Sequence, residues 1–471
     1  MVLKKASIVS VLALAVGAAS VSAASAASVT SATKASTVQV TSSTYYVNGV
    51  SVNINTFYEK GKTLVSLKDL SSKLGARLQA VSGGVQANLN GHVVELKYDS
   101  DILKVDGADQ KLTVPVKSLK GTTYVELKAY VDALGAYFVK DSSGIAWIEA
   151  NVLANVDHIQ WANSKAFIAS VETETGREDY LVDAQSGKTR QLSIPEDASE
   201  LVVAPNGEKA TFTNGKGEIF VIEFNSFNPV KVSNDTNIKP ELVWSADSSL
   251  IYFLQGDKGS VIAQLDPTIA KITKVLDDKV DYKANLSVSA DGKTFVYTVT
   301  KPGAVVAGDK PVEADDVAID MKGTEPQVYM YTVDPSVKDN KAVQLTTSTD
   351  DKAFIYASSD ASQVGYVSIA DSADKSTLVI VGKDKKVVTL FNESDVYQAT
   401  LSGNKWFLLT EGNKANAFIY EVDPATSAAK QLISLPSDVS EIYVKDGAPI
   451  AIMNDGHVFV EVNGHWRPMS R

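Results

Sequence analysis

From about residue 156 onward the chain repeats itself. Short runs rich in β-branched and aromatic residues recur, each broken by a turn: IQWANSKAFIAS, LVVAPNGEKATFTN, LVWSADSSLIYFL, LSVSADGKTFVYTV, FIYASSDASQVGYVSI, ATLSGNKWFLLTE and IYVKDGAPIAIM. The residues before the turns are Trp161, Val203, Trp244, Val288, Ala357, Leu401 and Val444, so successive repeats lie 42, 41, 44, 69, 44 and 43 residues apart. The long gap holds an acidic insertion at about 302–327, PGAVVAGDKPVEADDVAIDMKGTEPQ. A fixed period of 40–45 residues with four short strands per unit is the signature of a β-propeller. The third repeat shows the strands as ELVW, LIYFLQ, VIAQLD and KITKVL, and the last as SEIYV, PIAIM, HVFVEV and HWRPM. Turns such as ADG, PNG and KDG place Gly or Asn where a tight hairpin needs positive φ. The spacing predicts a propeller over 151–471, with seven blades, or six if one repeat is shared or degenerate.

A second repetition lies upstream. KGKTLVSLKDLSSKLGA, at 60–76, returns without a gap as KGTTYVELKAYVDALGA, at 120–136. Each copy opens on a β-prone triplet, Thr63-Leu64-Val65 or Thr123-Tyr124-Val125. A helical pattern follows, with Leu67, Leu70 and Leu74 in one copy and Leu127, Tyr130 and Leu134 in the other. Gly75 and Gly135 stand where the residue after a helix takes positive φ. Alternating strands come next, VQANL and HVVELKY, then AYFV and IAWIEA. One such unit is too small to bury both its helix and its strands; two copies can share a core. The fold class is therefore mainly β: a small duplicated α+β domain at 45–150, then a propeller.

YYVNG, the duplicated motif and its strand pairs resemble the copper amine oxidase N-terminal-like domain, or stalk domain, of exported proteins from spore-forming Gram-positive bacteria. That family usually carries Pro after the TLV strand and Arg just beyond; here Ser66 and Glu126 replace the Pro, and Lys68 and Lys128 stand near the Arg positions. The resemblance implies a non-catalytic, wall-proximal module. Copper amine oxidase chemistry needs three His ligands and a Tyr-derived quinone in a separate domain. This chain has only His92, His158, His457 and His465, far apart, and no Asn-Tyr-Asp/Glu motif. WSADSSLIYF and VSADGKTFVY resemble the TolB-like (PD40) propeller repeat, with Ala246 and Ala290 where its Pro usually falls; that resemblance implies architecture and no particular partner.

Lys4 and Lys5, the apolar run ASIVSVLALAVGAASV and small-residue cleavage positions read as a signal peptide at 1–26. A Ser/Thr/Ala-rich flexible linker follows at 27–44. The chain has no cysteine, which excludes a lipoprotein anchor, disulfides and thiolate metal sites. No second hydrophobic span is seen, so no integral membrane span is expected. Residues 45–150 hold twelve Lys/Arg and eleven Asp/Glu; 151–471 hold thirty and forty-five. The acidic second part argues against nucleic acid and against direct attraction to an anionic polymer, whereas the near-neutral first part suits contact with a cell wall. A secreted or wall-associated protein is expected.

No Gly-x-Ser-x-Gly elbow, His-Glu-x-x-His motif, P-loop or EF-hand loop occurs, so no catalytic residue, cofactor or metal site is expected. Asp99, Asp101 and Asp106 have the wrong spacing for a calcium loop. Trp147, Trp161, Trp244, Trp406 and Trp466 read as packing residues in or beside the strands. Three residues before each turn anchor lie His158, Glu200, Glu241, Asn285, Phe354, Gln398 and Glu441. Equivalent positions come round a propeller axis, so the six polar ones are the candidate ligand-binding ring at a channel mouth; the alternative is that they are simply solvated there. The function expected is an exported, non-catalytic scaffold whose stalk positions a propeller that binds a protein or cell-wall polymer. Two alternatives stay open. One is a propeller hydrolase or lyase acting on an envelope glycan through Glu200, Glu241, Glu441 and His158. The other is a small-ligand sensor with 302–327 as its lid.

Overall fold

The computed structural model describes residues 39–141, 144–306 and 318–471. The signal peptide and most of the linker lie outside them, as does the middle of the acidic insertion.

The first part is built from β1 (Thr41–Val47), β2 (Val50–Glu59), β3 (Lys62–Ser66), α1 (Leu67–Leu74), β4 (Arg77–Val81), β5 (Gly84–Leu89), β6 (His92–Lys97), β7 (Ile102–Val105) and β8 (Ala108–Lys111), then β9 (Lys117–Leu119), β10 (Thr122–Glu126), α2 (Leu127–Ala133), β11 (Tyr137–Lys140) and β12 (Ala146–Glu149). Seven strands form one sheet in the order β11-β12-β1-β2-β3-β10-β9, and β4 to β8 form a five-stranded meander. β1 begins at Thr41, four residues inside the expected linker. Its residues pair with β2 from Thr41↔Thr56 onward, and the Ser43 and Thr56 hydroxyls hydrogen-bond at 2.7 Å. A Ser/Thr-rich run that looks like linker is strand here because β2 supplies its partner.

The duplication becomes a local two-fold. β3 and β10 run antiparallel with Val65 opposite Val125, and those two valines are the same position in the two copies. The helices add to the same core: Leu67, Leu70 and Leu74 join Leu127, Tyr130 and Leu134 in one buried cluster. Across it the Ser71 hydroxyl and the Tyr130 phenol hydrogen-bond at 2.7 Å. Gly75 and Gly135 take positive φ, 84° and 68°, as the helix ends require. Ser66 caps α1 by accepting from the Asp69 N–H at 3.4 Å, whereas Glu126 caps nothing and accepts from the buried Val114 N–H. After the helices the copies part. The first enters the meander, while β12 returns to pair in parallel with β1, Tyr46 opposite Trp147.

The second part is a ring of seven four-stranded antiparallel sheets spanning 156–191, 202–231, 241–276, 283–344, 351–391, 396–436 and 439–468. Each turn anchor falls at, or within one residue of, the end of a sheet's innermost strand. The insertion enters between the second and third strands of the fourth sheet, where Ala304–Val306 pairs with Ala318–Asp320 as a separate ribbon. Apolar residues alternate to both faces of each sheet and fill the gaps between neighbours. Phe212 packs between the first and second sheets, Trp244 between the second and third, and Trp406 between the fifth and sixth. Trp161 and Tyr443 join the first sheet to the seventh and close the ring.

Three consecutive sheets, the third to fifth, share a polar device. Lys239, Lys283 and Lys352 each bury the ammonium completely at the start of the innermost strand. Lys283 Nζ donates to the Ser260 and Val280 carbonyls and to Asp278; Lys239 Nζ donates to the carbonyls of Gly217, Asp235 and Asn237. Each ammonium also stands 5.7 Å from an aromatic ring fourteen residues on, Phe253, Tyr297 or Tyr366. The same sheets carry a Ser-x-Asp turn, Ser245–Asp247, Ser289–Asp291 and Ser358–Asp360, in which the Ser hydroxyl donates to the carboxylate at 2.6–2.7 Å. Those bonds, with backbone donors, hold the Asp247 and Asp360 carboxyls down to about 2.

Candidate functional site

Six of the seven ring positions lie on innermost strands and Glu200 lies just before one, but bulges turn them differently. The ladder between first and second strands shifts register beside His158, Asn285, Phe354, Gln398 and Glu441. A bulge adds a residue to one strand and re-aims its side chains. Asn285 and Phe354 sit at the shift itself, with φ of 54° and 52°.

Several ring residues are bonded within the fold. Gln398 reaches the seventh sheet, its amide donating to the Ile442 carbonyl at 3.0 Å and accepting from the Ile442 N–H at 2.6 Å. Glu241 accepts from the Leu286 N–H of the fourth sheet at 2.8 Å, and burial pushes its carboxyl above the ordinary value. Asn285 donates to the Thr298 hydroxyl at 3.0 Å. Glu441 accepts from the Tyr443 phenol at 2.6 Å. Phe354 packs against the core between the fifth and sixth sheets.

His158 and Glu200 come together. Both line a pocket of about 160 Å³ with Asp157, Glu172 and Arg177. Arg177 is oriented from behind, donating to Asp179 at 3.2 Å and to the Ser199 carbonyl at 2.8 Å. The His158 ring meets Tyr443 edge-on at 5.6 Å, which links this pocket to Glu441 across the ring seam. The structure thus pairs His158 with Glu200 in a pocket between the first and second sheets, links His158 through Tyr443 to Glu441 of the seventh, joins Gln398 to the strand of Glu441, and sets Glu241 beside Asn285.

Pattern reasoning missed other links between sheets. Gln160 accepts from the Val203 N–H at 3.3 Å. The indoles of the anchor tryptophans donate across sheets, Trp161 to the Tyr443 carbonyl at 3.2 Å and Trp244 to the Val202 carbonyl at 2.9 Å. Recurrence of Trp at an anchor was the available signal.

No sequence signal marks the joint between the two parts. Arg467, on the last strand of the seventh sheet, is 1 % exposed and forms a bidentate pair with Glu149 at the end of β12, at 3.0 and 2.7 Å. Its Nη1 donates to the Ala184 and Gln185 carbonyls of the first sheet's last turn, at 3.2 and 2.5 Å. Glu149 also accepts from the Gly49 N–H at 3.1 Å. Burial pushes the Glu149 carboxyl up, against the pull of Arg467 and Gly49. One guanidinium thereby ties the stalk to both ends of the ring. A parallel bridge between Leu153 and Ser470 reinforces the seam.

Among the described residues no helix is long and apolar enough to cross a membrane, and no cluster of three metal-ligating side chains occurs. No curated protein sequence matches the chain. Among solved structures it is similar to the tricorn protease, with 9% identity and a TM-score of 0.47 over 88% of this chain and 48% of that one. It is also similar to the Pyrococcus horikoshii acylaminoacyl peptidase, with 13% identity and a TM-score of 0.45 over 68% and 53%. A third is an oligogalacturonate lyase in complex with manganese, with 11% identity and a TM-score of 0.47 over 71% and 94%. The chain spans about half the length of the first two. At the other end of the molecule, residues 46–145 match the family model described as the copper amine oxidase N-terminal domain.

Proposed function

We propose that this is an exported protein of the bacterial cell envelope, in which the stalk domain positions a propeller that binds a protein or polymer partner without transforming it. The observation that carries this reading is the Arg467–Glu149 joint. A buried bidentate pair, bonded on to the first sheet, fixes one orientation between stalk and ring, which suits a module that presents a surface. The ring side chains fit the same reading. Glu241 and Gln398 are engaged in holding neighbouring sheets together. The pocket of His158 and Glu200 is the ring's contribution to a ligand face.

The test is retention of the mature chain on washed envelopes, followed by crosslinking and identification of what the propeller touches. A defined partner on the face around His158, lost in His158→Ala/Glu200→Gln, supports the reading. Equal capture by the variant, or no retention, overturns it.

One observation favours a second reading. Asp157, His158, Glu172 and Glu200 converge with Arg177 in one pocket, an arrangement able to move protons on a bound envelope glycan. Release of reducing ends or unsaturated products from such glycans, abolished by Glu200→Gln, would establish a hydrolase or lyase in place of the scaffold.

A further inference from the structure

The stalk carries a groove of about 580 Å³, the volume of a site that takes a ligand of several units. Lys62, Lys111, Lys128 and Lys140 surround it, from β3, β8, α2 and β11. Its two carboxylates are Glu126 and Asp132, so the lining has a formal excess of two positive charges. Both acids are engaged inside the domain: Glu126 accepts from the Val114 N–H, and Asp132 pairs with Lys128 at 2.7 Å. Lys62, Lys111 and Lys140 are exposed and, among the described residues, form no ion pair. Two pockets on the propeller have the opposite sign. The one at His158 holds three carboxylates and one arginine, and the one at Asp374 holds two carboxylates and one lysine.

The chemistry of the lining narrows the ligand further. Its cations are all lysines, and no arginine lines it. Arginine would grip a carboxylate or a phosphate through a planar fork, whereas lysine ammoniums meet either as point charges, so the lining suits separate charges rather than one fixed bidentate geometry. Thr44, Thr63 and Thr113 add hydroxyls between the ammoniums, and Phe138 and Ala146 give an apolar wall. Such an open groove suits a flexible chain with a polyol-like backbone and charges at intervals.

We propose that this groove binds a linear phosphodiester polymer, with Lys62, Lys111 and Lys140 each meeting a phosphate. The acidic propeller is repelled by the same polymer, so the stalk makes the contact and the ring faces away from it. This rests on the envelope reading above and gives the stalk's ligand a chemical class.

The experiment uses the mature full-length chain and a synthetic poly(glycerol phosphate) oligomer, with binding followed by calorimetry at several salt concentrations. Binding is expected to weaken with salt with a log–log slope of about −2, from roughly −0.7 per phosphate neutralised. The triple variant Lys62→Gln/Lys111→Gln/Lys140→Gln, altered only at exposed side chains, is expected to lose at least tenfold in affinity. The equal-charge control Lys73→Gln/Lys97→Gln/Lys104→Gln, outside the groove, is expected to change less than threefold. Equal losses in the two triples overturn the groove, as does no binding by the wild type. Equal affinity for inorganic phosphate or for polygalacturonate overturns the polymer assignment. Retention on envelopes stripped of phosphodiester polymer separates the two readings: a chain still retained there refutes this proposal and leaves the envelope reading standing.

Discussion

Replacing Arg467 with methionine removes the guanidinium and keeps most of the apolar stem. In the intact protein that group donates four hydrogen bonds, two to Glu149 and one each to the Ala184 and Gln185 carbonyls. The Glu149 side chain is 2 % exposed, so without Arg467 its carboxylate is left buried with the Gly49 N–H at 3.1 Å. Removing one partner of a buried pair costs about 3–5 kcal/mol, because the other charge stays desolvated and uncompensated. Arg467→Met should therefore lose about that much stability at pH 7 by chemical denaturation. Arg467→Met/Glu149→Gln, which removes the stranded charge, should recover at least about 2 kcal/mol of it. The pH dependence has a definite sign. Burial already raises the folded-state pKa of Glu149, and losing the cation raises it further. The folded variant then holds a proton that the unfolded chain releases at about 4.3. Its stability falls as pH rises above that value toward the raised folded one, so the deficit is smallest near pH 4 and largest at neutral pH. Hydrogen exchange should show the loosening first at the Gly49 turn and in the last strand of the seventh sheet. A single variant within about 0.5 kcal/mol of wild type at pH 7, or a deficit that does not change with pH, would refute this account.

Gly49→Ala strikes the same joint from the other side: Gly49 has φ 76° and an added Cβ would overlap the Arg467 guanidinium, so a loss of about 1–3 kcal/mol is expected in the same denaturation assay. Lys283→Met strips an ammonium from two carbonyls and Asp278, and should cost about 2–4 kcal/mol; an unchanged midpoint would show the buried lysines to be dispensable. Gln398→Ala should cost about 1–3 kcal/mol and selectively speed exchange of the Ile442 amide, which its side chain holds at 2.6 Å. Gly365→Ala places a methyl into the Trp406 indole and should cost about 1–3 kcal/mol, with a change in tryptophan fluorescence as the indole shifts.

The sequence by itself determined the repeating architecture. A period near 43 is set by local strand and turn chemistry, and each anchor falls where an innermost strand ends. The duplicated motif likewise announced two helices and their glycine ends, because helical spacing and positive φ are properties of neighbouring residues. The three buried lysines, each fourteen residues before an aromatic, went unread, because that spacing gains meaning only once the second strand folds back on the first. Tertiary structure decided the rest. Whether Ser43 belonged to a linker or a strand depended on β2, and the two copies diverged after their helices because β12 found β1 as a partner. The candidate ring was equal in sequence and unequal in space: bulges re-aimed some members, and the next sheet's backbone engaged Glu241 and Gln398. Arg467 and Glu149, 318 residues apart, met only because the ring closes beside the stalk. Periodicity reports what each residue prefers locally. Which distant donor meets which distant acceptor is fixed by how the sheets close, and that is where the candidate site and the joint were made.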